Sequence, residues 1–279
     1  MAVRIVTDSS CDLTDAEIAA HGIEVVPLSI RFGEEEYEDR SELTVDAFYD
    51  KLAASAVLPE TAAPAPGKFE AAFRRQAEAG ADAIVCINLS AGLSATMQSA
   101  QNAAMAVAGD LDVRVLDSRS ITSGLGTQVL LAAEAGASGA SADQVVDLVE
   151  GLAERTHVFG ALDTLDNLKK GGRIGGAQAL LGSLLAIKPI LDISTGTVEE
   201  AGKARTRRKA LEALRDKVAA AGSVEQLCVT HGFAPDLDEM LGLLDPLYPR
   251  DKIRVGTIGP VIGTHGGPRV MGVTWLASS

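Results

Sequence analysis

The 279-residue sequence has few aromatic residues and no excess of positive charge. Aromatic residues make up 4% of the chain and hydrophobic residues 47%, so the sequence predicts a core of aliphatic side chains and alanine. The formal net charge of -13 argues against general nucleic-acid binding, which requires a basic surface. We therefore expect a globular protein with no nucleic-acid partner.

Cysteines and long apolar runs are also scarce. Cys11, Cys86 and Cys228 are widely separated and include no Cys-x-x-Cys pair, so neither a disulfide framework nor a zinc site is expected. The most apolar stretch, residues 179–191, is interrupted by a lysine and a proline and is too short to cross a bilayer. The start of the chain lacks the apolar region of a signal peptide. These features predict a cytoplasmic protein with no integral membrane segment, no metal and no cofactor.

The first half of the chain alternates short apolar runs with alanine-rich segments. Two capping boxes, Thr14 with Glu17 and Ser141 with Gln144, mark the starts of helices. The alternation predicts strands over residues 3–6, 23–30, 83–88 and 113–116, and helices over residues 45–54, 67–79, 94–108 and 123–135. This order is typical of a mainly parallel sheet covered by helices.

The second half of the chain has a different pattern of predicted elements. Residues 189–194 and 198–202, joined by Thr195-Gly196, indicate a hairpin. Further strands are predicted over residues 157–162, 226–230, 253–258 and 270–276, and helices over residues 206–221 and 237–247. We predict an α/β protein of two α/β domains, residues 1–156 with a mainly parallel sheet and residues 157–279 with a mixed sheet.

Three segments, 60–64, 90–96 and 259–266, combine small residues with hydroxyl groups or a histidine. Ser94 lies near a predicted helix start, where its hydroxyl and free N–H groups would grip a carboxylate or phosphate, although capping alone also explains a serine there. The glycines around His265 require positive φ or close approach. Because the segments contain no carboxylate pair, metal cluster or triad, they predict an anion-binding pocket rather than a catalytic centre.

Two other polar features leave alternatives open. Thr7-Asp8-Ser9-Ser10 follows the first strand, where either a ligand site or a simple turn with a helix cap is expected. An acidic run over residues 34–42 is interpreted as a solvated loop. A basic cluster indicates either a docking patch or a solvated helix face, and it consists of Lys203, Arg205, Arg207, Arg208 and Lys209.

Taken in order, these segments resemble the DegV family of bacterial fatty-acid-binding proteins. The resemblance spans essentially the whole chain and rests on residues 7–10, 61–64, 93–96, 117–118, 168–174, 205, 207–210 and 259–265. It implies a two-domain α/β protein with a long-chain fatty acid buried between the domains. It also implies a carrier that is not itself an enzyme and that presents the acid to a separate fatty acid kinase, which makes acyl phosphate for phospholipid synthesis.

By motif position, the resemblance implies that Thr61, Ser94 and His265 hold the carboxylate, helped by Thr264. Arg173 and Arg205 correspond to family positions linked with docking of the kinase. The sequence departs from the family pattern at four positions, which leave the three carboxylate ligands intact but leave acyl-chain preference open: Ala62, Ala65, Ala95 and Arg269.

Two alternative functions are weighed against a carrier. Ser94 as nucleophile and His265 as base would make a serine-dependent hydrolase or a small phosphotransferase, but no G-x-S-x-G elbow occurs. A nucleotide-binding domain is disfavoured because no G-x-G-x-x-G follows the first strand. For a carrier, residues 125–133 and 180–191 are candidate walls of the acyl-chain tunnel, although both segments could simply belong to the core.

Overall fold

A computed structural model of the protein describes residues 2–182 and 187–278. The strands are, in chain order, β1 (Val3–Asp8), β2 (Glu24–Val26), β3 (Ser29–Phe32), β4 (Glu35–Glu38), β5 (Glu60–Ala62), β6 (Ala83–Asn88), β7 (Val113–Asp117), β8 (Thr156–Ala161), β9 (Lys188–Asp192), β10 (Glu199–Ala204), β11 (Val224–His231), β12 (Arg254–Thr257) and β13 (Met271–Ala277). The helices are α1 (Asp15–His21), α2 (Val45–Ala54), α3 (Pro66–Glu78), α4 (Thr96–Val107), α5 (Thr122–Ala137), α6 (Ala142–Arg155), α7 (Asp166–Lys170), α8 (Arg207–Ala221), α9 (Leu237–Leu244) and α10 (Pro260–Gly266).

The first sheet is parallel, with strand order β2-β1-β6-β7. Alternate residues of its central strands point to opposite faces and enter two cores. Val85 and Ile87 pack with residues of α5 and α6, whereas Ile84 and Cys86 pack with residues of α3 and α4. The prediction of a parallel sheet covered by helices is confirmed.

A small antiparallel sheet with order β4-β3-β5 corrects two predictions. The single strand predicted over residues 23–30 is wrong, because the chain leaves the first sheet after Val26 and enters the small sheet at Ser29. Pro27, which has no N–H to donate, lies between the two strands. The acidic run is not a loop throughout, since Glu35–Glu38 forms β4.

The third sheet is mixed, with order β10-β9-β8-β13-β11-β12. β11 and β12 are parallel and the other pairs are antiparallel, including the predicted hairpin of β9 and β10. Helices α8 and α9 cover one face, where Leu211 of α8 and Met240 of α9 share a core with Trp275 of β13. The other face contributes Val158 and Leu191 to the core that also contains residues of α5.

Helix α5 therefore lies where the first and third sheets meet. A Cβ on Gly124 would lie 2.9 Å from Val158 Cγ2 of β8, and a Cβ on Gly136 would lie 3.0 Å from the Val3 carbonyl oxygen of β1. Both predicted capping boxes are present, at the starts of α1 and α6. The division into residues 1–156 and 157–279 stays a prediction. None of the described helices is both long and apolar enough to cross a membrane.

Candidate functional site

The glycine-rich segment 259–266 forms helix α10 rather than a loop. Pro260 occupies its first turn, and the Gly259 N–H donates to Asp12 Oδ1 over 3.1 Å. A Cβ on Gly263 would lie 2.8 Å from Phe48 Cε1, so glycine is needed for close approach to α2. Close packing thus explains the glycine density and brings α10 against the small sheet and α2.

His265 lies near the end of α10 and contacts Thr61. The Thr61 Oγ1 lies 3.0 Å from His265 Nε2, and pairing of Thr61 with Ile30 fixes β5 beside β3. Burial and the positive charge of Arg173 lower the pKa of His265 to about 4, so its ring is neutral at pH 7. The buried Nδ1 of His265 has no hydrogen-bond partner within residues 2–182 and 187–278.

Ser94 lies just before α4, which begins at Thr96, two residues later than predicted. The N-cap residue of α4 is Ala95, so Ser94 does not cap this helix. Instead the Ser94 Oγ lies 2.8 Å from Thr96 Oγ1 and accepts the Thr96 N–H over 3.3 Å. These bonds hold the half-buried hydroxyl of Ser94 in the wall of a cavity that also reaches Thr61 and His265.

Arg173, the predicted docking residue, lines the same cavity. Its Nε donates to the Leu93 carbonyl oxygen over 3.1 Å and its Nη1 to the Gly171 carbonyl oxygen over 2.7 Å. Gly171 also touches the imidazole, because a Cβ there would overlap His265 Nδ1. Arg173 thus links the loop of Ser94 to the backbone beside His265 and adds a positive charge to the site.

The other predicted basic residues lie elsewhere. Arg205 is exposed and is not among the residues that line the cavity. Arg207 pairs with Asp236 through two hydrogen bonds of 2.7 and 3.1 Å. Arg208 and Lys209 both contact Glu212. This part of the basic cluster is therefore matched locally by acidic groups.

The cavity is narrow. It encloses about 840 Å³ of space between atoms, a figure that includes solvent at its mouth, and little of this space is wide enough for a water molecule. Most of the lining is aliphatic and comes from the third sheet and from segments that connect the strands, for example Leu28, Leu89, Leu93, Ile121, Leu168 and Ile258.

A row of residues across the third sheet forms one wall. Thr230 of β11 pairs with Gly272 of β13, which pairs with Gly160 of β8, which pairs with Leu191 of β9, and all four line the cavity. Among the described residues, a Cβ on Gly160 would have no neighbour closer than 3.7 Å, whereas a Cβ on Gly272 would lie 2.7 Å from Thr230 Oγ1. The missing side chain at Gly160 therefore leaves room for a ligand lying across the strands.

The structure also separates predicted site residues from the cavity. Thr264 is buried and does not line it; its carbonyl oxygen accepts from Asn167 Nδ2 over 2.9 Å. Residues 125–133 do not line the cavity and contribute to the core, which was the second of the two alternatives for this segment. Of the predicted wall 180–191, Leu191 lines the cavity, and residues 183–186 lie outside the described residues.

Thr7-Asp8-Ser9-Ser10 forms an internal network rather than a ligand site. The buried carboxylate of Asp8 accepts the Ser10 hydroxyl, the Leu89 N–H at 2.8 Å and Asn88 Nδ2 at 3.2 Å. Burial nevertheless raises the pKa of Asp8. The network ties the end of β1 to the end of β6, so the simpler of the two interpretations accounts for this motif.

No catalytic triad is assembled at the cavity by the described residues. Ser94 and His265 are not hydrogen-bonded to each other in this part of the chain, and no carboxylate contacts the ring of His265 there. A hydrolase would need both contacts to activate the serine and orient the base. The geometry instead offers neutral donors and acceptors beside one guanidinium.

Comparisons with known proteins agree with this architecture. The model of the DegV family, described as an uncharacterised protein family, matches residues 2–278. A DegV domain-containing protein of Streptomyces coelicolor is 38% identical over 275 residues, which cover 97% of each chain. A fatty-acid-binding DegV family protein from Thermus thermophilus has a TM-score of 0.91 and 34% identity, with 100% of both chains covered. A stearic acid-binding protein from Eubacterium ventriosum has a TM-score of 0.86 and 26% identity, with 99% of this chain and 98% of that chain covered. The chain belongs to the DegV family.

Proposed function

We propose that this protein binds a long-chain fatty acid in the cavity and presents its carboxylate to a separate fatty acid kinase for acyl-phosphate formation. The observation that carries the proposal is a thin apolar cavity whose polar lining includes Thr61, Ser94, Arg173 and His265. The Thermus thermophilus and Eubacterium ventriosum relatives, described as binding fatty acid and stearic acid, support the same ligand class. The protein is then a carrier, and the phosphoryl transfer belongs to its partner.

The apolar lining supplies the affinity. Burying each methylene stabilises the complex by ~0.8 kcal/mol, so a tail of ~16 carbons contributes roughly 10 kcal/mol before the costs of association. A thin bore favours a single unbranched chain, because wider ligands would have to displace the packed walls. The polar residues then need to orient the head group rather than to bind it tightly.

In the proposal, Thr61, Ser94 and His265 hold the carboxylate through hydrogen bonds. The imidazole is neutral at pH 7 and can donate one N–H, and the two hydroxyls can each donate one more. Arg173 attracts the anion, but two of its donors are already held by backbone carbonyl oxygens. Thr264 contributes indirectly, because its carbonyl oxygen holds α10 on Asn167.

The position of the head group suits transfer to a partner. Thr61, Ser94 and His265 are half-buried, whereas apolar lining residues such as Leu89 and Val158 are at most 4% exposed. The carboxylate would therefore lie nearer to solvent than the tail. We propose that Arg173 and the exposed Arg205 contact the acidic surface of the kinase.

Binding and presentation are tested separately. We expect solvent extraction of the purified protein to release about one fatty acid per chain, and recovery of no fatty acid from protein that also fails to take it up would refute the binding proposal. With a fatty acid kinase and ATP, acyl phosphate is trapped as the hydroxamate. Ser94→Ala should reduce its formation, while Arg205→Ala should reduce it without changing fatty-acid affinity. Equal hydroxamate yields from all three proteins would refute the presentation proposal.

A further inference from the structure

Two threonine hydroxyls interrupt the apolar wall of the cavity. Thr122 and Thr230 both line it, and their side chains are only 3% and 1% exposed. Within the described residues 2–182 and 187–278, neither hydroxyl is hydrogen-bonded to the protein and neither oxygen is fully enclosed, so both face the open space of the cavity. A hydroxyl that faces an apolar cavity without a protein partner is available to a polar atom of a ligand.

Thr122 is also strained. It is the first residue of the 16-residue helix α5 and has φ +49°, a conformation that β-branched residues rarely adopt. The N-cap residue of α5 is Ile121, whose apolar side chain cannot cap the helix, so the partial positive charge of the helix end remains beside Thr122. Strain of this kind persists where the surroundings enforce it and is frequent at ligand sites.

Thr230 lies near the start of α5, where Thr122 is the first residue. Thr230 pairs with Gly256, and a Cβ on Gly256 would lie 3.4 Å from Thr230 Cγ2 and 3.2 Å from the hydroxyl of Ser123, the residue after Thr122. The start of α5 therefore lies beside the end of β11. The residues of the carboxylate site have other neighbours: Arg173 donates to the carbonyl oxygens of Leu93 and Gly171, and Gly171 contacts His265.

We propose that Thr122 and Thr230 form a second polar subsite that binds an oxygen substituent on the acyl chain, so that the preferred ligand is a hydroxylated fatty acid. This inference rests on the proposed function, since it uses the same cavity. A chain hydroxyl donates one hydrogen bond and accepts others, so it can pair with a threonine hydroxyl as donor or as acceptor. A plain hydrocarbon tail leaves both hydroxyls unpaired.

The test compares delipidated protein binding to octadecanoic acid and to a series of hydroxyoctadecanoic acids that differ in hydroxyl position. We expect one position to bind about tenfold more tightly than the plain acid, the worth of a good hydrogen bond. Thr230→Val should remove this preference and Thr230→Ser should retain it. Thr122→Gly, which relieves the strained φ, should weaken the preference with the fold intact. Thr274→Val is the matched control, because Thr274 is a buried threonine of β13 that lies outside the cavity lining and whose hydroxyl has no hydrogen-bond partner among the described residues.

The outcomes separate this inference from the proposed function. Tight binding of octadecanoic acid with no preference at any hydroxyl position would overturn the second subsite alone. A gain in affinity for the plain acid in Thr230→Val, with no preference in the wild type, would show that the hydroxyls only retain water and would also overturn it. Failure of every acid to bind would refute the proposed function itself.

Discussion

Gly160 sets the depth of the proposed acyl-chain tunnel. Its missing side chain faces the cavity, and a Cβ there would meet none of the described residues closer than 3.7 Å. Its φ is not in the left-handed region, so valine fits the backbone of β8 and suits a strand. Gly160→Val places three carbon atoms where a ligand would lie. If each excludes one methylene at ~0.8 kcal/mol, the loss is ~2.4 kcal/mol, roughly 60-fold in affinity.

The assay is calorimetric titration of delipidated protein with saturated acids of about 8 to 18 carbons. Affinity of Gly160→Val for the longest acids should fall by the full factor, whereas acids too short to reach Gly160 should bind as tightly as to the wild type. Gly109→Val is the control, because Gly109 is exposed and has open space around it. Thermal unfolding of the apo proteins checks that neither substitution lowers stability.

A loss of affinity that is equal for all chain lengths would refute this reasoning, since it would place Gly160 beside the head group or reveal general damage. Unchanged affinity for every acid would show that the tail does not cross the third sheet at this point.

Three further predictions concern the head-group site and the buried acids. Gly171→Ala should displace the ring of His265 and lower fatty-acid affinity about tenfold by titration, the worth of one hydrogen bond, with the unfolding temperature little changed. Arg173→Met should lower affinity for the ionised acid and reduce its dependence on salt, because the apolar stem is retained while the charge is lost. Burial raises the pKa of Asp39 from 3.8 to about 6, so its contribution to stability is full below pH 3.8 and is lost as the pH rises through about 6. Asp39→Asn should therefore stabilise the protein at pH 8 by up to about 3 kcal/mol and flatten the pH dependence between pH 4 and 6.

Each of these has a contrary result. Wild-type affinity in Gly171→Ala would show that His265 does not hold the ligand. If the affinity of Arg173→Met depended on salt as strongly as that of the wild type, the guanidinium of Arg173 would not attract the bound anion. Urea unfolding of Asp39→Asn with an unchanged pH profile would mean that Asp39 is not the group that titrates.

The sequence predicted regular elements well where propensity and packing agree. Helix α2 and strand β6 begin and end at the predicted residues, because each combines a consistent apolar pattern with clear end signals. Two elements were missed because their own sequences lack the usual apolar pattern. Strand β4 is acidic and forms by pairing with the adjacent strand β3, whereas α10 is rich in glycine and fits against Phe48 and Tyr49, which are distant in sequence.

The cavity shows the same limit. The resemblance named Thr61, Ser94 and His265, and the structure brings them to one cavity. The wall of Thr230, Gly272 and Gly160 was not predicted, because it exists only through the register of three strands. A signal for it was present in the glycines inside otherwise apolar strands, which mark places where another molecule approaches the backbone.

The central claim is that the carboxylate lies among Thr61, Ser94 and His265 while the tail fills the cavity. Carbon-13 NMR of octadecanoic acid labelled at the carboxyl carbon tests it most directly. We predict one bound carboxyl resonance, distinct from that of the free acid, that shifts in Ser94→Ala and His265→Gln and is unchanged in Thr274→Val. A bound resonance that is identical in all four proteins, or no bound resonance at all, would contradict the account.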